Sequence, residues 1–285
     1  MGLSTGVRKS GLRNPGLTSI SETTPDLKII HTEGQVQGTM KIESKEQLFD
    51  MINNSTELLY ASGLTQGKPC VCDFQTDEII GRGSDRVAIS FDYQVKTFDQ
   101  FMLTNAGKKL VLKQFLEDYD TSNNLKIDET NLKNRYAHQA MQNSISKFLA
   151  YEFSRLFTSE NTYETGVTFL NAYVVKLSNC KKMFYNGESP LPPNKFEKYT
   201  NNTGYIAANC PPILIAFSLF THQYTDGLLM VTDLQGYYEE NKRLYVLTDP
   251  AIQCKSLDLF DKTNLGEENI ERCFEIYSKY YDLSS

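Results

Sequence analysis

The segment GLLMVTDLQG sets Asp233 and Gln235 at the end of an apolar run, and a second apolar run, YVLTDP, delivers Asp249. Two carboxylates placed just beyond buried strands offer the hard oxygen ligands that suit a cation such as Mg2+. Strand-terminal aspartates are also common turn formers, so composition alone leaves both readings open. The six cysteines, Cys70, Cys72, Cys180, Cys210, Cys254 and Cys273, lack paired C-x-x-C spacing. The three histidines, His31, His138 and His222, lie far from one another, which argues against a His/Cys metal site and for reduced thiols.

The elements that must carry these groups follow from hydrophobic patterning. Residues 1 to about 27 are rich in Ser, Thr, Gly, Pro and Arg without apolar periodicity and read as a flexible arm. Residues 28–69 are expected to form a helical extension, with Leu48, Met51, Ile52, Leu58 and Leu59 on apolar faces of one or two helices. CVCDF, RVAISFDYQV and KKLVLKQFL are short β-branched and aromatic runs, expected as strands of one antiparallel sheet. A long helix follows, with Met141, Ile145, Phe148, Leu149, Phe153 and Leu156 recurring at three- and four-residue steps.

GVTFLNAYVVKL and KKMFY are expected to complete that sheet, closing a first lobe over 70–187. Three prolines in ESPLPPNKF exclude regular structure and open a second lobe over 188–285. In it ILIAFSLFTHQ reads as a helix, LLMVTDL and RLYVLTD as strands, and a last helix begins near Asn264. The chain is therefore expected to be α+β in two lobes, an antiparallel sheet with one long helix followed by a mixed α/β lobe.

With 285 residues and 40% hydrophobic content the chain can build a sizeable core. A formal net charge of −6 supplies no basic field for nucleic acid or anionic membranes. No apolar run approaches the roughly 20 residues that span a bilayer, and the start lacks the apolar stretch of a signal peptide. A cytoplasmic location is the expectation. Gly2 is present, but Gly6 stands where a myristoylation signal wants Ser or Thr.

GLTQGKP approximates a phosphate-binding loop but is one residue short and ends in Pro69, and in GRGSDR Arg86 stands where a glycine-rich loop needs its third glycine. The H-R-D and D-F-G segments of conventional protein kinases are absent. By contrast DLQG at 233–236, LTDP at 247–250 and TNLGEENI at 263–270 resemble consecutive motifs of the alpha-kinase family. KFEKYTNNTGYI resembles that family's K-Y-N-N-N-x-G stretch, AFSLFTHQYTDG its F-S-H-F-T-Y-E-x-x-G run, LVLKQF its lysine strand, FLAYEF its long helix and DRVA its R-x-A strand. The resemblance runs in order from about residue 70 to about 275.

The resemblance implies an ATP- and Mg2+-dependent kinase acting on Ser or Thr of a protein substrate. It implies that Lys113 and Arg86 contact the ATP phosphates, although each could also be an ordinary solvent-facing residue of a strand. It further implies that Glu188 meets the adenine amino group from the hinge, and that Asn264 and Gly266 belong to the nucleotide-binding loop. Asp233 would orient the acceptor hydroxyl or take its proton, Asp249 would be the chief Mg2+ ligand, and Gln235 would lie near the metal, as would Asp233.

Two departures set this chain apart. The family's G-x-A-x-x-G loop becomes Asp261, Lys262, Thr263, Asn264, Leu265, Gly266. Its zinc histidine is replaced by Leu219, and the chain ends in SKYYDLSS without the H-x-C-x-x-x-C cluster, so no zinc is expected. Leu219, Phe274, Ile276 and Tyr277 are expected to pack in its place. These departures leave open a second reading, a pseudokinase acting as a nucleotide-binding or interaction scaffold.

Overall fold

The computed structural model describes residues 29–53, 64, 66, 68–75, 79–83, 85–91, 110–117, 129–158, 165–178, 184–192 and 194–284. The 1–27 arm and the second half of the expected helical extension, 54–63, lie outside the described residues.

Strands β1 (Ile29–Gln37), β2 (Lys68–Gln75), β3 (Ile79–Arg82), β4 (Arg86–Phe91) and β5 (Leu110–Phe115) precede the long helix. Helix α1 (Lys45–Asn53) lies between the first two, and α2 (Glu129–Thr158) follows the fifth. After α2 come β6 (Gly166–Phe169), β7 (Tyr173–Leu177) and β8 (Phe184–Glu188). Among the described residues one sheet of the order β2-β1-β7-β8-β5-β4-β3 results, antiparallel throughout.

Two expectations are corrected here. The segment expected to be a purely helical extension supplies β1 as an inner strand between β2 and β7, and only Lys45–Asn53 of it is helical among the described residues. Backbone pairing on both sides outweighs the segment's weak strand pattern. GVTF does not join the first sheet: β6 runs parallel to β12 (Leu244–Thr248) in the second lobe, and only YVVKL enters the first. The two halves of GVTFLNAYVVKL thus tie the lobes together across residues 170–172, a division that one continuous apolar run does not reveal.

Helix α2 explains why the lobes hold together. Met141, Ile145, Phe148, Leu149 and Phe153 are buried as the periodicity predicts, but Leu156 is exposed, so the stripe stops one turn early. Gln139, Gln142, Asn143, Ser146 and Glu152 are buried as well, because α2 packs on β7 and β8 of the first sheet and on β6, α3 (Pro212–Tyr224) and β13 (Ala251–Cys254) of the second lobe. A helix covered on most sides must satisfy its buried amides. Gln142 accepts from the Ile252 amide at 2.9 Å, and Asn186 of β8 donates to the Tyr136 carbonyl at 2.8 Å.

Helix α3 begins with Pro211 at its N-cap and Pro212 in its first turn, where a missing N–H costs nothing. It is apolar almost all round and buries Leu214, Ile215 and Phe217 against α2 and β10 (Leu229–Thr232). Helix α4 (Glu267–Ser284) closes the base, with Tyr277 fully buried. None of the described helices is long and apolar enough to cross a membrane.

Candidate active site

The second lobe places the aspartates by a single device. Strand β10 pairs with β13, and β11 (Gln235–Glu239) pairs with β12. Thr232 faces Ala251 and Gln235 faces Thr248, so the two ladders continue one hairpin without a shift of register. The hairpin is kinked where Asp233 (φ 55°) and Asp249 (φ 50°) adopt left-handed backbone. Such a conformation is uncommon outside glycine and is tolerated best by Asn and Asp. Both aspartates therefore turn the chain, and the same turn sets their carboxylates outside the ladder.

Gly236 completes the kink. Its φ of 156° and the Val246 carbonyl, 2.1 Å from where a Cβ would stand, leave no room for a side chain. The DLQG glycine is thus required by backbone approach.

The first sheet supplies the cations. Lys113 faces Ala88 across β4 and Asn186 across β8, while Arg86 faces Phe115 and Glu188 faces Val111. Strand alternation puts Arg86, Lys113 and Glu188 on one face of the sheet, at diagonal positions within reach of long side chains. That face meets the hairpin kink. Lys113 Nζ lies 2.7 Å from Asp249 Oδ2, and Arg86 Nη2 lies 2.6 Å from Asp249 Oδ1. Lys113 also pairs with Glu188 and donates to Thr248 Oγ1 at 3.2 Å, while the Thr248 hydroxyl donates to the other Glu188 oxygen.

Asp233 is held separately. Lys198, in the two-residue strand β9 (Glu197–Lys198) beside β11, places its Nζ 2.8 Å from Asp233 Oδ1. Gln235 donates its amide to the Asp249 carbonyl at 3.2 Å. Lys113, Arg86, Asp249, Gln235 and Asp233, widely separated in sequence, are therefore gathered at one junction between the lobes.

The two aspartates are driven in opposite directions. Burial raises the Asp233 carboxyl above its ordinary value, and the Lys198 ammonium opposes this only in part. Burial also acts on Asp249, but Arg86 and then Lys113 outweigh it and hold that carboxyl down to about 2. Carboxylates pushed apart in this way separate naturally into a proton acceptor and a permanent anion. Glu188, fully enclosed, is raised chiefly by burial despite the Lys113 ion pair.

Three further residues of the expected nucleotide site have partners within the protein. The Glu188 carboxylate pairs with Lys113 through one oxygen and accepts from the Thr248 hydroxyl through the other, so it orients the lysine. Asn264 spends its side chain inside its own turn: Oδ1 accepts from the Cys254 and Gly266 amides, and Nδ2 donates to the Ser256 and Leu259 carbonyls. Gly266, at φ 82° and pressed by Leu257, has its amide committed to Asn264. Both shape the loop. Thr248 and Lys198 are site residues that sequence reasoning misses, although both stand inside the motifs LTDP and KFEKY.

Leu219, Phe274 and Ile276 are partly buried and pack against the core cluster to which Tyr277 belongs. The His222 ring lies 4.5 Å from that of Phe274, and Cys254 and Cys273 are buried. Among the described residues no three His, Cys, Asp or Glu side chains are grouped to hold a metal by themselves. Mg2+ asks less of a protein, one or two carboxylates with substrate phosphates and waters completing its shell, so the oxygens of Asp249, Asp233 and Gln235 fit it chemically.

A sheet-based lobe joined to a mixed lobe, with a strand lysine aimed at an aspartate turn between them, defines a protein-kinase-like fold. The sequence profile of the alpha-kinase family matches residues 81–280, and the chain belongs to that family. It is 30% identical over 170 residues to alpha-protein kinase vwkA of Dictyostelium discoideum, covering 59% of this chain and 25% of that protein. It is 27% identical over 183 residues to the human transient receptor potential cation channel subfamily M member 7, covering 61% of this chain and 9% of the channel. The chain thus spans a quarter or less of the length of these two relatives.

Among solved structures, the alpha-kinase domain of myosin heavy chain kinase A in complex with ADP superposes with a TM-score of 0.60 at 17% identity, over 87% of this chain and 92% of that one. The same domain with AMP-PNP gives 0.61 over 86% and 90%. At that identity the likeness establishes the fold. Family and fold together support protein kinase function in general terms.

Proposed function

We propose that this chain transfers the γ-phosphoryl group of ATP to a serine or threonine hydroxyl of a protein. The observation that carries the reading is the meeting of Lys113, Arg86 and Asp249 beside a separately held Asp233. Phosphoryl transfer needs little covalent help from the enzyme and depends on positioning and charge neutralisation.

Lys113 and Arg86 are the cations available to the triphosphate. Glu188 and Thr248 fix the lysine, and Phe115, whose ring centroid lies 5.9 Å from the Arg86 guanidinium carbon, flanks the arginine. Asp233, raised by burial, accepts the proton of the acceptor hydroxyl as its oxygen bonds to the γ-phosphorus and the bond to the β-phosphate oxygen breaks. Asp249 stays ionised, with Gln235 bracing its carbonyl. These residues would hold a magnesium ion, which offsets triphosphate charge when bound.

Incubation with labelled ATP, Mg2+ and a generic basic protein acceptor tests the proposal: label should appear on acceptor Ser or Thr. The second reading, a nucleotide-binding scaffold, draws support from Asp261 and Thr263 in the loop where the resemblance implies small residues. Nucleotide binding without transfer would favour it.

A further inference from the structure

Asp261, which breaks the expected small-residue pattern, and its neighbour Lys262 are not loose on the surface. Lys262 Nζ lies 2.5 Å from Glu117 Oε1, just past the end of β5 in the first lobe. Arg135 of α2 reaches the other Glu117 oxygen at 3.2 Å and Asp261 at 3.5 Å. The Arg135 guanidinium also stacks over Phe115, 4.0 Å from the ring centroid. Two acids and two bases from three separate elements thus close a ring across the lobe junction. Its ion pairs hold the Glu117 carboxyl below its ordinary value, Lys262 contributing most.

We infer that this quartet is an interlobe latch that fixes the 261–266 turn against the first lobe, with Lys262 and Arg135 as positioning residues. The turn is in turn joined to the segment that holds Asp233. Asn202 Nδ2 donates to the Thr263 carbonyl at 3.3 Å, and Asn269 Nδ2 donates to the Asn202 carbonyl at 2.8 Å. Thr200 Oγ1 accepts from the Leu234 amide at 2.9 Å, next to Asp233. A latch on the turn therefore acts on acceptor placement beside Asp233, away from the Lys113 cluster that faces the nucleotide. This consequence for turnover rests on the kinase reading, whereas the latch itself does not.

The Lys262 and Glu117 side chains are 68% and 61% exposed, so the pair is screened by salt and its effect is modest. The reporters are the amides of Asn264, Leu265 and Gly266, which bond to Asp261 O, Gln253 Oε1 and Asn264 Oδ1. In the full chain, Lys262→Met or Glu117→Gln should speed hydrogen exchange at these amides roughly two- to fivefold. The double variant should add nothing further, and Lys262→Arg should restore the native rate. Raising KCl from about 0.05 to about 0.5 M should reproduce the loosening in the native chain. With the basic protein acceptor, Lys262→Met should raise KM two- to fivefold by the same reasoning while nucleotide affinity holds. Exchange indifferent to both variants and to salt would overturn the latch, whatever the kinase assay returns. Absence of transfer by the native chain, with exchange responding as stated, would overturn only the kinase reading.

Discussion

The hairpin kink at Asp233 and Asp249 and the α3–α4 base belong to the same stretch of chain, yet they are held by opposite means. At the kink, backbone conformations that cost free energy carry carboxylates into a group of three cations, Arg86, Lys113 and Lys198. At the base, Phe217, Tyr277 and Leu214 are fully buried and the polar groups bond locally, as Ser218 does to the Val231 carbonyl at 2.7 Å. The base fixes β10 so that the kink can be strained. Strain concentrates where groups must be aimed, and apolar packing supplies the stability that permits it.

Breaking the kink should separate activity from stability most widely. Asp233→Asn is expected to lower phosphotransfer by roughly 10²–10⁴-fold with little loss of fold, read by labelled ATP alongside circular dichroism. Phe217→Ala should do the reverse: a loss of about 3–5 kcal/mol in urea unfolding, with the remaining folded molecules still active. If the two kinds of variant gave the same profile, the division between the regions would fail.

Gly236→Ala sharpens the contrast, because it injures the kink by packing. A Cβ only 2.1 Å from the Val246 carbonyl should cost on the order of 2 kcal/mol and displace both aspartates, so stability and transfer fall together.

Acid titration compares the aspartates themselves. A depressed folded-state value means that the Asp249 contribution is present above the ordinary aspartate range and is lost as pH falls toward about 2. Asp249→Asn should therefore flatten the stability–pH curve below ~pH 4. Asp233 is shifted upward, so the acid limb of the rate profile should lie above the ordinary aspartate value, and Lys198→Met should move it higher still. The smallest effect is expected at the base, where chelation with EDTA before a thermal melt should leave Tm unchanged if apolar packing has replaced zinc.

Much of this architecture is legible in the order of the amino acids. DLQG, LTDP and NNTG locate the second lobe, and the three- to four-residue steps of Met141 through Phe153 locate α2, since local periodicity reports which face is buried. GVTF cannot be assigned to its sheet in this way, because a short apolar run fits either of two partners. The resemblance puts Glu188 at a hinge, but its diagonal position opposite Lys113 depends on strand register, which no local pattern encodes.

The sequence by itself determined the chemistry on offer: a strand lysine and two aspartates after apolar runs. Tertiary structure alone decided which groups meet. It joined Arg86 to Asp249, Lys198 to Asp233 and Lys262 to Glu117, and it turned Asn264 inward to its own loop. The reason is geometric: side-chain type and spacing are local properties, whereas ion pairs between residues far apart in the chain follow from how sheets, register and lobes are set against one another.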